Sequence, residues 1–178
     1  MPRNLRPLLV LTMVAAFAAA CSTAPAAGSP AAPTGSQAPG QSGEPHQAPE
    51  LEAYIPAVVG GQPVRAASMR GTEAMGGLTQ DVADAIAAAG LSPDGVKVAV
   101  GAPEDEAWFI SALSVDGLEA NLLRDAVVGS DFEVTQKTVG GKNVAVVLDS
   151  QYYYVTSNVL IGIVADETVA AEILSQMP

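Results

Sequence analysis

The stretch QYYYVTSNVLIGIV, residues 151–164, is the most strand-like part of this 178-residue chain. β-Branched and aromatic residues fill Gln151–Thr156 and Val159–Val164, and the pair Ser157-Asn158 between them is typical of a turn. The second run, VLIGIV, has too few polar residues for a strand with one face in water. We therefore predict a hairpin whose second strand lies near the centre of a sheet.

Hydrophobic periodicity and turn residues predict further elements on the N-terminal and C-terminal sides of this hairpin. The predicted helical segments are a short turn at Leu51–Pro56, a helix at Thr79–Ala89, one from Asp116 to Gly129 and a last one capped by Asp166. The other predicted strands are Val64–Met69, Val96–Val100, Trp108–Val115, Phe132–Thr135 and Val144–Leu148. Gly140-Gly141 is a hairpin signal whose register the sequence leaves open.

The predicted element order is β-α-β-β-α-β-β-β-β-α. Such an order is typical of an α+β domain, and we expect a largely antiparallel sheet with the helices on one face. The first six elements match the ferredoxin-like order βαββαβ. This likeness concerns topology alone and implies no function.

The N-terminus has the features of a secretory signal peptide, predicted to cover residues 1–20. Arg3 and Arg6 form a basic start, and Leu8–Ala20 is a run of 13 residues interrupted only by Thr12. A helix of that length spans about 20 Å, less than the roughly 30 Å of a bilayer core. A basic start, a short apolar run and small residues are typical of a cleaved signal.

The segment Ala18-Ala19-Ala20-Cys21 resembles the lipobox of bacterial lipoprotein precursors. The resemblance implies cleavage before Cys21 and attachment of a diacylglyceryl group to its sulfur. This lipid would anchor the protein in the bacterial cell membrane, facing outside the cytoplasm. Two or more acyl chains give lasting anchorage, since each buried CH₂ contributes about 0.8 kcal/mol. The segment LEAYIPAVVGGQPV, from Leu51, is similar to the opening of domains in uncharacterised lipoproteins of high-GC bacteria.

The predicted lipidated cysteine and tether cover residues 21–50. The stretch from Ser22 to Glu50 is rich in Pro, Gly, Ala and Ser and contains no Val, Ile, Leu or aromatic residue, so we expect no core there. The histidine of the chain, His46, is then a solvated tether residue. Residues 51–178 are predicted to form a single domain of ordinary size.

Composition excludes several classes of function. The formal net charge is −11, which argues against nucleic acid as a partner. One Cys and one His provide neither a disulfide framework nor the usual zinc ligand sets, so we expect no metal and no cofactor. The folded segment 51–178 contains no Cys and no His, which removes Cys-His and Ser-His-Asp catalysis from it.

Two groups of side chains are candidate sites. In a strand, Tyr152 and Tyr154 share one face, and with Trp108 they could form a contact surface for a partner or serve as cross-strand packing. The run Glu104–Glu106 is acidic and could supply carboxylates, although the spacing of a calcium loop is absent and a solvated turn is the simpler interpretation.

The sequence supports three hypotheses of function. The first is a lipid-anchored, non-catalytic binding domain facing outward from the membrane, with an envelope protein or wall component as partner. The second is a carrier of a small apolar ligand in a cavity between sheet and helices, since abundant Ala, Gly and Val could leave space. The third is a minimal hydrolase that uses the carboxylates of Glu104–Glu106.

Overall fold

A computed structural model describes residues 45–178 of the chain. The predicted signal peptide, Cys21 and most of the predicted tether lie outside the described residues. The helices are α1 (Pro49–Glu52), α2 (Gly71–Gly76), α3 (Gln80–Ala88), α4 (Ala120–Val128) and α5 (Glu167–Ser175). The strands are β1 (Val58–Val59), β2 (Gln62–Pro63), β3 (Arg65–Arg70), β4 (Val96–Ala102), β5 (Phe109–Val115), β6 (Thr135–Val139), β7 (Lys142–Val147), β8 (Gln151–Thr156) and β9 (Val159–Val164).

Seven strands form one sheet in the order β3-β4-β5-β9-β8-β7-β6, and all neighbouring pairs are antiparallel. The predicted α+β class and largely antiparallel sheet are confirmed. The strand β9 is the fourth of seven, so the prediction that VLIGIV is central is also confirmed. The short strands β1 and β2 form a separate hairpin.

The predicted ferredoxin-like start is wrong. In a split βαβ arrangement, a helix connects two strands, and another strand lies between these two in the sheet. Here β3 pairs directly with β4 along six residues, from Arg65 opposite Ala102 to Arg70 opposite Lys97, which leaves no room for another strand. The chain then continues to β5 as the next neighbour, so the first three strands of the sheet are a simple antiparallel series.

The helices cover both faces of the sheet, not one as predicted. Neighbouring residues of the central strands point to opposite faces of the sheet, and both faces are apolar. Ala112 and Ile161 lie on one face, and Leu113 and Leu160 lie on the other. The first face packs against α1 and α5, and the second against α2, α3 and α4. A central strand with two apolar faces needs cover on both.

Several element boundaries differ from the prediction, and the starts of α4 and β6 are two of them. The helix α4 begins at Ala120, since Asp116 and Gly117 lie in a turn where Gly117 has φ +87°. The strand β6 begins at Thr135, where the predicted strand ended. The register of the following hairpin pairs Val139 with Lys142 across Gly140-Gly141, as a two-residue turn requires.

The folded part begins before Leu51, so the predicted tether boundary at Glu50 is wrong. The backbone N–H of Ser68 in β3 donates to Pro45 O at 2.8 Å, and Gln47 N–H donates to Ser68 O at 3.0 Å. Ala48 is fully buried in the core on the α1 side. The segment has few apolar side chains, but its backbone adds to the edge of the sheet, which composition does not reveal.

Candidate functional site

The aromatic residues predicted as a contact surface belong to the core. Tyr152 in β8 is 1% exposed and Trp108, next to β5, is 7% exposed. Both lie in the core on the α5 side of the sheet, and Tyr154 packs against the same core. Tyr152 and Trp108 are therefore packing residues and not part of an exposed contact surface, whereas Tyr154 is half-buried against the same core.

The tyrosine hydroxyls are used inside the domain. Tyr152 Oη donates to Asp149 O at 3.2 Å, and Tyr154 Oη donates to Pro178 O at 3.4 Å. Tyr153 points to the opposite face, where its hydroxyl donates to Gln151 Oε1 at 3.1 Å. Burial raises the pKa of the Tyr153 phenol. These bonds hold β8 to its neighbouring turn and to the chain end.

The acidic run Glu104–Glu106 is an exposed turn between β4 and β5. Asp105 Oδ1 accepts a hydrogen bond from Ala107 N–H at 3.2 Å, and Glu106 N–H donates to Pro103 O at 3.2 Å. Among residues 45–178, no three His, Cys, Asp or Glu side chains are grouped closely enough to hold a metal ion. The Asp105 carboxylate thus stabilises its own turn.

Sequence reasoning missed a polar cluster of His46, Glu52 and Ser68. His46 Nδ1 lies 2.9 Å from Glu52 Oε1, and the Ser68 hydroxyl donates to the same carboxylate oxygen. Ser68 Oγ also accepts from Ala48 N–H at 2.8 Å. No sequence motif connects these three residues, because they become neighbours only when the segment before α1 pairs with β3.

This cluster contains the residue types of a catalytic triad but not their arrangement. In a triad the histidine contacts the serine hydroxyl and removes its proton. Here His46 and Ser68 both contact Glu52, and Ser68 is 0% exposed with its hydroxyl fully engaged. The cluster therefore fastens the segment before α1 to β3 and offers no accessible nucleophile.

Charged side chains continue this attachment on the surface. Glu50 pairs with Arg70 and lies 3.7 Å from Lys97 Nζ, which is also 3.2 Å from Asp116 Oδ1. A backbone hydrogen bond, with Arg70 and Lys97 nearby, lowers the pKa of Glu50. Exposed pairs of this kind each contribute little to the stability of the domain.

The edge strand β6 is the most exposed strand of the seven-stranded sheet. Residues Thr135–Thr138 are all exposed, and β6 is the last strand of the sheet. A polar depression of about 280 Å³ lies there, lined by Gln136, Lys137, Thr138 and Asn143. Its polar lining and exposed position differ from the enclosed apolar cavity that a carrier of apolar ligands needs.

Lysine side chains dominate the charge of this hairpin. The segment Thr135–Lys142 contains two lysines and no acidic residue, although the chain as a whole has a net charge of −11. Lys137 Nζ pairs with Glu167 of α5, and this hydrogen bond raises the pKa of Lys137. Lys142 Nζ lies 5.6 Å from the centre of the Tyr154 ring and donates to Pro178 O at 2.9 Å.

Neither protein-family models, nor curated proteins, nor solved structures yield a match to this chain. Within the described part of the chain, no helix has the length and apolar character needed to cross a membrane. The candidate site is the β6–β7 hairpin, with its exposed edge strand β6.

Proposed function

We propose that this chain is a lipid-anchored envelope protein whose domain binds an extracytoplasmic partner and catalyses no reaction. The single observation that carries the binding role is the edge strand β6, whose residues Thr135–Thr138 are all exposed. Loops and edges on a rigid scaffold are common positions for binding residues. The resemblance of Ala18–Cys21 to a lipobox supports the anchor.

The charge of the chain fits a domain held away from the bilayer. Residues 51–178 contain 17 acidic and six basic residues, so anionic lipid headgroups repel the domain. Repulsion fades within about 8 Å at physiological ionic strength. The Pro-, Gly-, Ala- and Ser-rich segment before residue 45 is the predicted tether, and its length suits a domain held beyond that range, where the β6–β7 hairpin meets a protein or wall component.

The anchor is tested by changing Cys21 to Ser and following the protein by cell fractionation. We expect the Cys21→Ser protein to leave the membrane fraction for the medium or periplasm, because Ser lacks the sulfur that receives the diacylglyceryl group. Ser22→Ala is the matched control and keeps membrane retention. Membrane retention of Cys21→Ser equal to that of the unchanged protein contradicts the anchor.

The contact surface is tested by placing a photo-crosslinking residue at Gln136 in living cells. The control position is Ala87, an exposed residue of α3 on a different part of the domain. We expect a discrete crosslinked adduct from position 136 and none from position 87. Equal adducts from both positions, or adducts from position 87 alone, place the contact surface elsewhere.

A further inference from the structure

The register of the β6–β7 hairpin determines which backbone groups face outward. Val139 and Lys142 flank the two-residue turn, so they exchange both backbone hydrogen bonds. Hydrogen-bonded and non-bonded pairs alternate in an antiparallel ladder, so Lys137 and Thr135 also point their backbone groups toward β7. The N–H and C=O groups of Gln136 and Thr138 therefore point away from the sheet.

These four outward groups form an open edge. Within residues 45–178, β6 pairs with β7 alone. Gln136 and Thr138 are separated by about 7 Å along the strand. The backbone N–H and C=O groups on one side of an added strand repeat at the same distance. An extended segment can therefore bond to all four groups without disturbing the β6–β7 ladder.

The opposite edge of the same sheet already binds an extended segment. There the segment Pro45–Ala48 of this chain lies along β3, with bonds from Ser68 N–H to Pro45 O and from Gln47 N–H to Ser68 O. His46 forms a parallel bridge with Ser68. The strand β3 thus has a bridge at Ser68 to a segment of this chain, and β6 has no such bridge to the described residues.

Lys137 indicates which kind of segment fits the β6 edge. It lies between the two outward residues, so an added antiparallel strand places one side chain directly opposite it in a non-bonded pair, with Cα atoms about 4.5 Å apart. Glu167 engages one hydrogen bond of the Lys137 ammonium group, which has three donors. Opposite charges in such a pair stabilise, so an acidic residue is favoured there.

A second copy of this chain fits the edge less well. Two β6 strands from separate copies can pair antiparallel, with Gln136 of each opposite Thr138 of the other. This register uses all four outward groups of each strand, but it sets Lys137 of one copy opposite Lys137 of the other. Like charges directly opposite one another destabilise a strand pair. Lysine on an edge strand is also a common protection against pairing between copies.

From this geometry we infer that β6 binds an extended peptide segment by strand addition, with an acidic residue of that peptide opposite Lys137. The inference rests on the proposed binding function and names its partner class. Backbone bonds to Gln136 and Thr138 supply affinity, and the side chain opposite Lys137 supplies preference.

The probe is a fluorescent seven-residue peptide, Thr-Val-Thr-Glu-Thr-Val-Thr, titrated against the full chain in nonionic detergent and followed by anisotropy. Its counterpart carries Lys in place of Glu. We expect the Glu peptide to bind about fivefold more tightly, because the exchange replaces an attractive cross-strand pair with a repulsive one. Equal affinities, or a preference for the Lys peptide, overturn the role of Lys137.

Two protein variants test the backbone contacts. Gln136→Pro removes one outward N–H while leaving every β6–β7 hydrogen bond in place, and Gln136→Ala changes the side chain but keeps that N–H. We expect at least a tenfold loss of peptide affinity for the Pro variant and little change for the Ala variant. Similar affinities for the two variants refute strand addition.

N-methylated peptides provide the same test on the unchanged protein, which matters if Gln136→Pro does not fold. Methyl groups on the two Thr residues that flank Glu block the amides facing β6, and methyl groups on the two Val residues block the opposite edge. We expect only the first peptide to lose binding. Equal binding of the two peptides overturns the inference.

The remaining outcomes separate this inference from the proposed function. Crosslinking at Gln136 without any peptide binding leaves the binding role standing and removes strand addition. Absence of both removes the hairpin as a binding site. Dimerisation in sedimentation experiments that disappears in Gln136→Pro assigns the edge to a second copy and overturns the peptide assignment.

Discussion

The turn at Gly140-Gly141 provides a sharp test of how the β6–β7 hairpin is attached to the domain. Both glycines have positive φ, at +56° and +78°. A Cβ added at Gly140 would lie 2.4 Å from Ala171 O, 2.9 Å from Leu174 Cβ and 3.0 Å from Ser175 N, all in α5. A Cβ added at Gly141 would meet nothing within 4 Å. The same substitution at neighbouring positions therefore isolates the contact with α5.

The expected magnitudes follow from these distances. Alanine in a left-handed conformation costs about 1–2 kcal/mol, and this cost applies to Gly140→Ala and Gly141→Ala alike. Overpacking adds about 1–3 kcal/mol at Gly140 alone, because two of the three atoms met there belong to the backbone of a helix and cannot rotate away. We expect Gly140→Ala to lose about 1–3 kcal/mol more unfolding free energy than Gly141→Ala.

The assay is urea unfolding followed by circular dichroism at 25 °C, on full chains that carry Cys21→Ser to remove the predicted lipidation site. The midpoint should fall further for Gly140→Ala than for Gly141→Ala, with similar slopes for both variants. Equal midpoints would falsify the claim that Gly140 packs against α5. A smaller loss at Gly140 than at Gly141 would refute it equally.

Two further predictions concern buried polar groups. Ser68→Ala leaves the buried Ala48 N–H without its acceptor and removes a hydrogen-bond donor from Glu52. The unfolding free energy, measured by urea unfolding, should therefore fall by about 1–3 kcal/mol. A loss no larger than that of an exposed Ser→Ala change contradicts the role of the cluster. Because burial raises the pKa of Tyr153, the unfolded chain releases this proton first, and stability should fall as pH rises above about 10. Tyr153→Phe should show a shallower fall of melting temperature between pH 9 and pH 11, and an unchanged slope argues against the burial effect.

The hairpin of β8 and β9 shows how much of the fold local sequence can predict. Both strands occupy the predicted ranges, Gln151–Thr156 and Val159–Val164, because β-branched residues, a turn pair and a lack of polar breaks all favour the same structure. The cap of α5 was equally predictable. Asp166 Oδ1 accepts from the N–H groups of Thr168 and Val169, at 2.9 and 3.0 Å.

Which face each helix covers could not be read from the helices themselves, because an apolar stripe shows that a helix is buried but not where. The strands did contain that information. Tyr152 and Tyr153 are neighbours in β8 and pack into opposite cores, so the central hairpin needs cover on both sides. The lack of polar residues in VLIGIV leaves both faces of this strand apolar. Two apolar faces predict a layer of helices on each side of the sheet.

The start of the domain was missed for a different physical reason. Composition measures side chains, and the segment before α1 has few that are apolar. Its stabilisation comes from backbone bonds to β3 and from the contacts of His46 and Ser68 with Glu52. Pairing between distant segments leaves no local pattern, so only the assembled sheet reveals it.

The open edge at β6 follows from the path of the chain. After β5 the chain passes through α4 to the far end of the sheet, and β7, β8 and β9 then fill the space back to β5. The last strand is therefore central, and the two edges are left to β3 and β6. Segment Pro45–Ala48 bonds to the first edge at Ser68. At the second, Lys137 opposes pairing between copies and favours an acidic strand, so one side chain both protects the edge and selects its partner.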